Sequence, residues 1–351
     1  MTLIRPTDEV TDPHGPARRP GPGRAIAVLV LVVLAVLIPL FGPSAALHGT
    51  GEAAAPGAGG VALLRTVLFA ALCVPLGELF AARLARSVPG APPYAPRSWA
   101  PYAVAAGLVA ALGLASVVAT GNLVPHSLSE IDVGGLYQSR DGKLALLEVN
   151  AFLVAALCAR SARPALQVWP LAAVIMAEAL RAHPPAEHSP LIGSGLTLVH
   201  LTCAALWAGG LLHVLRTLRH WGAAESGPAG PGGFSESGSA VWGAALIGLY
   251  ARLAAVLLAA ITATGVWSSL RRMPPGTILE QLTDTAYGRV LLAKMLLVAV
   301  VAALALWART RLRRAPDPLT VCVPARLEVV ALALVVVISG LLTALPHPIR
   351  W

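Results

Sequence analysis

The chain is expected to fold as an all-α, polytopic bundle of transmembrane helices. Of its 351 residues, 56% are hydrophobic and only 12% are charged, and the mean hydropathy is +0.73. Soluble domains carry about a quarter charged residues. The apolar residues form runs of about 20, the length that spans a bilayer as a helix, without the alternation typical of membrane β-strands. The composition therefore predicts a multi-pass membrane protein.

About nine helices are expected, or eight if the first is removed as a signal peptide. We interpret the first apolar run as a retained signal anchor, because it is long enough to span a bilayer. The Pro-, Gly- and Arg-rich residues 1–24 before it predict a disordered cytoplasmic tail. Residues 25–182 are predicted to form N-terminal transmembrane helices, and residues 183–351 a C-terminal transmembrane domain. The predicted segments are 25–41, 61–84, 99–121, 144–159, 165–181, 191–215, 241–270, 287–307 and 326–345.

Arginine and lysine are distributed unequally between the two sets of loops that these segments create. The N-terminal tail and every second loop after it carry more than twice as many of these residues as the remaining loops. Positive residues concentrate on the cytoplasmic side of membrane proteins. This rule places the N-terminus in the cytoplasm and the C-terminus outside. It also explains the net charge of +9 without a nucleic-acid partner.

Histidines are concentrated on the predicted outer side, and the stretch from His183 to His213 is the richest in histidine. His183 and His188 lie in a Pro-rich loop, whereas His200 lies within the following apolar run, about 15 Å below the outer face. His213, at the far end of that run, belongs to the cytoplasmic side. A polar ring inside a membrane helix needs a partner or a ligand.

A transition metal is one ligand that such histidines could bind, because imidazole is the commonest metal-binding side chain. The candidate metal ligands are His183, His200, His188, Glu178 and Cys203. Cys203 is included because its spacing from His200 puts both on one helix face. The alternative is structural: His200 would hydrogen-bond a polar residue of a neighbouring helix, and His183 and His188 would be ordinary loop residues.

Three glutamates fall inside predicted membrane helices, namely Glu78, Glu148 and Glu178. Buried carboxylates should face the bundle interior, where they could relay protons, help to bind a cation, or pair with Arg252, Lys294 or His200. The sequence contains no phosphate-binding glycine loop, nucleophile elbow or HExxH motif, and its four cysteines form no CxxC pair. We therefore expect neither an enzyme nor an enzymatic cofactor.

Four stretches together resemble the copper resistance protein D family. They are LVHLTCAALWAGGLLHVL at 198–215, YARLAAVLLAAITATGVW at 250–267, YGRVLLAKMLL at 287–297 and RLEVVALALVVVISGLLTALP at 326–346. They occur in that family's order and spacing. The upstream residue Arg65 and the stretches LLEVNAFL and ALRAHPPAEH are similar to the family's preceding helices.

The resemblance implies a plasma or inner membrane protein that takes up or handles copper, with residues 183–351 as the domain typical of the family. It assigns His200 to the HxxxxxxWxGG motif and His183 to the end of the preceding helix. It also implies a small extracytoplasmic copper carrier as a partner, supplied as a separate chain. Two other functions remain open: haem handling or electron transfer, since histidines on facing helices can ligate haem, and a scaffold subunit that binds no metal.

Overall fold

A computed structural model describes residues 22–53, 55–121, 132–185, 187, 189–225, 236–273, 275–314 and 318–346. These residues form helices joined by short turns, which confirms the all-α prediction. In chain order the α-helices are α1 (Pro22–Leu47), α2 (Ala58–Arg86), α3 (Ala100–Thr120), α4 (Val133–Gln138), α5 (Arg140–Arg160), α6 (Val168–Ala182), α7 (Pro190–Glu225), α8 (Glu236–Arg272), α9 (Ile278–Asp284), α10 (Ala286–Arg314) and α11 (Pro318–Leu342).

Eight of these helices are long and apolar enough to cross a membrane within the described residues. A further long helix, α11, packs against α10 and α2. The short helices α4 and α9, and two 3₁₀ turns at Pro164–Gln167 and Pro275–Thr277, connect the long ones. Asp132 and Ser139 begin α4 and α5, because their side chains accept hydrogen bonds from backbone N–H groups of the first turns.

Helix α2 lies at the centre of the bundle and packs against α1, α3, α7 and α11. One apolar core lies among α2, α3, α5, α6 and α7, with Leu68, Phe152 and Leu171 fully buried. A second lies among α2, α7, α8, α10 and α11 around Trp207 and Leu246. Because α2 contributes to both, the helices before and after residue 183 share a continuous interior.

Contacts between loops identify the two ends of the bundle. At one end, Arg289 donates to the His48 carbonyl at 2.8 Å, Arg140 to the His183 carbonyl at 3.2 Å and Arg271 to the Ser189 carbonyl at 3.1 Å. We call this the His183 end. At the opposite end, Arg216 and Trp221 donate to backbone carbonyls of the α2–α3 loop. The alternation agrees with the predicted order of loops, and the assignment of the His183 end to the outside stays a prediction.

Candidate functional site

Four charged side chains form a buried network near the His183 end of the bundle. The Arg181 Nη1 atom donates to Glu148 Oε1 and to Glu178 Oε1, each at 2.8 Å, and Arg65 of α2 donates to the same Glu178 oxygen. Glu148 is fully buried and Glu178 is 6% exposed. Two cations and two anions balance in charge, which is the condition under which ionised groups are tolerated inside a membrane protein.

Of the three roles left open for Glu148 and Glu178, the structure shows ion pairing, although with partners other than those considered. Neither glutamate pairs with Arg252, Lys294 or His200; both bind Arg181 instead. The third glutamate, Glu78, lies towards the opposite end and accepts a hydrogen bond from the Trp99 backbone N–H at 3.1 Å. Glu178, a candidate metal ligand, therefore contacts two guanidinium groups in this structure.

His183 ends α6 and is only 3% exposed, so it is not an ordinary loop histidine. Its Nδ1 atom lies 2.6 Å from Glu187 Oε2, and its Nε2 atom lies 3.0 Å from Thr197 Oγ1. A carboxylate can only accept, so Nδ1 carries the proton, and in the neutral ring Nε2 accepts from the threonine hydroxyl. A histidine oriented by a carboxylate in this way is the usual arrangement of a metal-binding imidazole.

The surroundings of His183 are fixed by two arginines. Arg140 donates to the carbonyls of Leu180 and His183 and so satisfies the C-terminal end of α6. Arg271, from the end of α8, lies 3.6 Å from Glu187 and also donates to the Ser189 carbonyl. The position and the Nδ1 tautomer of His183 are therefore set by α5, α7 and α8 together.

His200 bonds a polar residue of a neighbouring helix, as the structural alternative predicted, although that residue is Thr264 rather than a glutamate. The distance from His200 Nδ1 to Thr264 Oγ1 is 3.0 Å. The single hydroxyl proton of Thr264 is directed to the Ala260 carbonyl at 2.7 Å. Oγ1 therefore accepts from His200 Nδ1–H, and the lone pair of the neutral ring remains on Nε2, the atom available to a metal.

A cavity of about 240 Å³ runs from the His183 end into the bundle between α2, α7, α8, α10 and α11. Ala182 and Thr197 line it near that end, and Trp207 and Ala208 line it deeper. Thr197 and Ala208 are eleven residues apart, which is about 16 Å along a helix. His200 lies between them on the cavity wall. Thr197, the partner of His183, thus connects the two histidines along one passage.

Lys294 of α10 also lines this cavity. Among the described residues its ammonium has no ion pair or hydrogen bond, and the cavity wall they form includes neither aspartate nor glutamate. The sequence suggested Lys294 only as a partner for a glutamate. Its exposure to the cavity depends on the rotation of α10, which apolar periodicity alone does not fix.

The remaining candidates lie in different places. Cys203 does not line the cavity and packs against the second core, whereas Cys73 of α2 is on the cavity wall and was not proposed. His188, together with His126 and His347, lies outside the described residues. Within the described ranges, no group of three or more His, Cys, Asp or Glu side chains is close enough to hold a metal ion. The ligand set proposed from the sequence stays a prediction.

His213 lies at the opposite end of the bundle, as predicted, and is 2% exposed. Its Nδ1 atom lies 2.9 Å from Arg216 Nη1, and its ring meets the Trp99 ring edge to face at 6.3 Å between centroids. Arg216 also stacks over Trp99, with Cζ 3.6 Å from the ring centroid. This cluster ties α7 to the α2–α3 loop.

A family model described as copper resistance protein D matches residues 244–342. This range contains most of α8, the short connecting helix α9, and the long helices α10 and α11. Three of the four stretches identified in the sequence lie essentially within this range, and the stretch at 198–215 precedes it. No curated protein and no solved structure matches the chain. Thr264 and Lys294 fall inside the matched range, whereas His183 and His200 fall before it, so the cavity joins matched and unmatched helices.

Proposed function

We propose that the chain moves copper across or into the membrane from the His183 end, because a family model described as copper resistance protein D matches its residues 244–342. Its coarse role is that of a copper resistance-related multi-pass membrane protein. In the finer proposal, His183 captures the ion and His200 receives it inside the bundle. The observation that carries this proposal is the cavity, which extends from the end bearing His183 and has His200 on its wall.

The chemistry of both histidines supports this order of events. In each ring Nδ1 is engaged as a donor, by Glu187 at His183 and by Thr264 at His200. Nε2 is therefore the ligand atom in both. Copper would replace the Thr197 hydroxyl at His183 and then pass about one helical turn along α7, from the level of Thr197 to that of His200. Imidazole nitrogen suits copper in either oxidation state.

The carboxylates at this end of the bundle offset the positive charges around them. Glu187 is shared between His183 and Arg271, and Glu148 and Glu178 neutralise Arg65 and Arg181. Because these carboxylates already offset neighbouring positive charges, we assign them the positioning of α6 and His183, and we keep Glu178 as an auxiliary metal ligand. An extracytoplasmic carrier that delivers copper to this end remains part of the proposal.

Copper accumulation in cells tests the function. In a strain that lacks the protein, restoring the wild-type chain should change total cellular copper, whereas chains with His183→Ala or His200→Ala should change it about tenfold less, since each loses a ligand. His48→Ala is the matched control, because His48 lies at the same end with an exposed side chain. Equal copper in all strains by elemental mass spectrometry would contradict the proposal, and a Soret band in the purified protein would favour haem instead.

Lys294 gives a second prediction for the same cavity. An ammonium group near His200 repels a metal cation, so Lys294→Met should strengthen copper binding to the purified protein by about tenfold, equivalent to about 1.4 kcal/mol. Competition against a copper chelator measures this change. Lys143→Met is the matched control, because Lys143 is exposed at the start of α5 and is the chain's other lysine. Weaker binding to Lys294→Met would show that Lys294 assists the metal.

A further inference from the structure

The unpaired charge in the cavity requires an explanation that copper does not provide. Lys294 is half-buried, lines the cavity, and has no carboxylate partner among the described residues. An isolated ammonium in a membrane interior is strongly destabilising unless an opposite charge accompanies it. The buried network near the His183 end obeys this rule, since Arg65 and Arg181 are each paired with buried glutamates.

The shape and lining of the cavity indicate which kind of opposite charge fits. Its volume of about 240 Å³ exceeds what one inorganic ion needs. The wall is mostly apolar, with Phe69, Leu72, Val298 and Leu332 among its residues, whereas hydroxyl groups such as Ser268 contribute isolated polar positions. A cavity with apolar walls and one cationic group fits a ligand with a short apolar body and one anionic group.

We propose that this cavity binds a small organic anion, with its carboxylate or equivalent group at Lys294 and its apolar part against α2 and α11. The ammonium offers three donors and a full charge, and a charge-assisted hydrogen bond there would be stronger than any neutral pair. The inference does not depend on copper transport, because it concerns the metal-free protein. It also explains why a lysine, which reaches flexibly as a point charge, is suitable here in a chain whose basic residues are otherwise almost all arginine.

Three probe ligands with the same carbon chain test whether binding depends on the charge of the head group or only on the size of the ligand. Butyrate, n-butanol and n-butylamine share a four-carbon body and differ in the head group. With metal-free protein in phosphatidylcholine nanodiscs, saturation-transfer NMR should detect butyrate binding and at least about tenfold weaker binding of the other two, since only butyrate pairs with the ammonium. Equal binding of butyrate and butanol would overturn the proposal.

Variants at the two lysines complete the experiment. Lys294→Met should lower the affinity for butyrate at least about tenfold, Lys294→Arg should retain most of it, and Lys143→Met should leave it unchanged. Unchanged binding to Lys294→Met would also overturn the proposal. Nanodiscs in which one-tenth of the lipid is phosphatidylglycerol identify the source of the anion. If phosphatidylglycerol weakens butyrate binding to the wild-type protein, the natural anion is a lipid head group. If butyrate binding is unchanged, the natural anion is a free molecule. Copper binding, measured separately, can fail without affecting any of these results.

Discussion

Replacing Glu178 with alanine is expected to destabilise the folded protein by about 3–5 kcal/mol, the cost of leaving buried charges without a partner. Among the residues that the structure describes, Glu178 is the one carboxylate that contacts both Arg65 and Arg181. Its removal leaves the Arg65 guanidinium without its carboxylate partner and leaves Arg181 with Glu148 alone. Because Arg65 belongs to α2 and Arg181 to α6, the loss should loosen the packing between these helices.

The free energy of unfolding in detergent micelles, titrated with a denaturing detergent, measures this effect. The double variant Arg65→Met/Glu178→Gln should lose less stability than Glu178→Ala, since it removes a positive charge together with the negative one. Glu280→Ala is the matched control, because Glu280 is exposed on α9 and should change stability by no more than about 0.5 kcal/mol. Wild-type stability in Glu178→Ala would show that the four charges are not buried together.

Most of the helices could be predicted from the sequence, because a membrane imposes a length and an apolar composition that are legible in a single chain. The predicted segment 191–215 lies within α7, and 287–307 lies within α10. The short helices α4 and α9 were not predicted. They contain six and seven residues and lie among polar residues, so neither span length nor hydropathy identifies them.

The partners of the polar residues were harder to predict than the helices. Arg65 and Glu178 are 113 residues apart, and His200 and Thr264 are 64 apart, so no local spacing relates them. Glu178 and Arg181 do have the i, i+3 spacing of a helix pair. The predicted segment 165–181 contained both residues, but only Arg252, Lys294 and His200 were considered as partners of Glu178, so the pair was missed.

The glycines of the WAGG sequence show how a local pattern can predict a long-range contact. Small residues such as these allow close packing of helices in membranes. In the structure Gly209 of α7 faces Gly77 of α2, and a Cβ on Gly209 would lie 3.0 Å from the Gly77 Cα and would overlap the Cys73 carbonyl. The obstructing atoms are backbone atoms, which cannot move aside as a flexible side chain would.

Gly209→Ala is therefore expected to destabilise the protein by about 3 kcal/mol, the upper part of the usual range for overpacking, because α2 and α7 must separate. Gly195→Ala on the same helix should instead stabilise the protein. Its Cβ would meet no atom within 4 Å, so only the better helix propensity of alanine remains, with a gain of at most about 1 kcal/mol. Thermal unfolding of the two variants in one detergent compares their stabilities directly.

Equal changes in stability for Gly209→Ala and Gly195→Ala would mean that α2 and α7 do not meet at these glycines. A Gly209→Ala chain that folds but has lost copper accumulation would show instead that the α2–α7 spacing sets the cavity on whose wall Cys73, His200 and Trp207 lie.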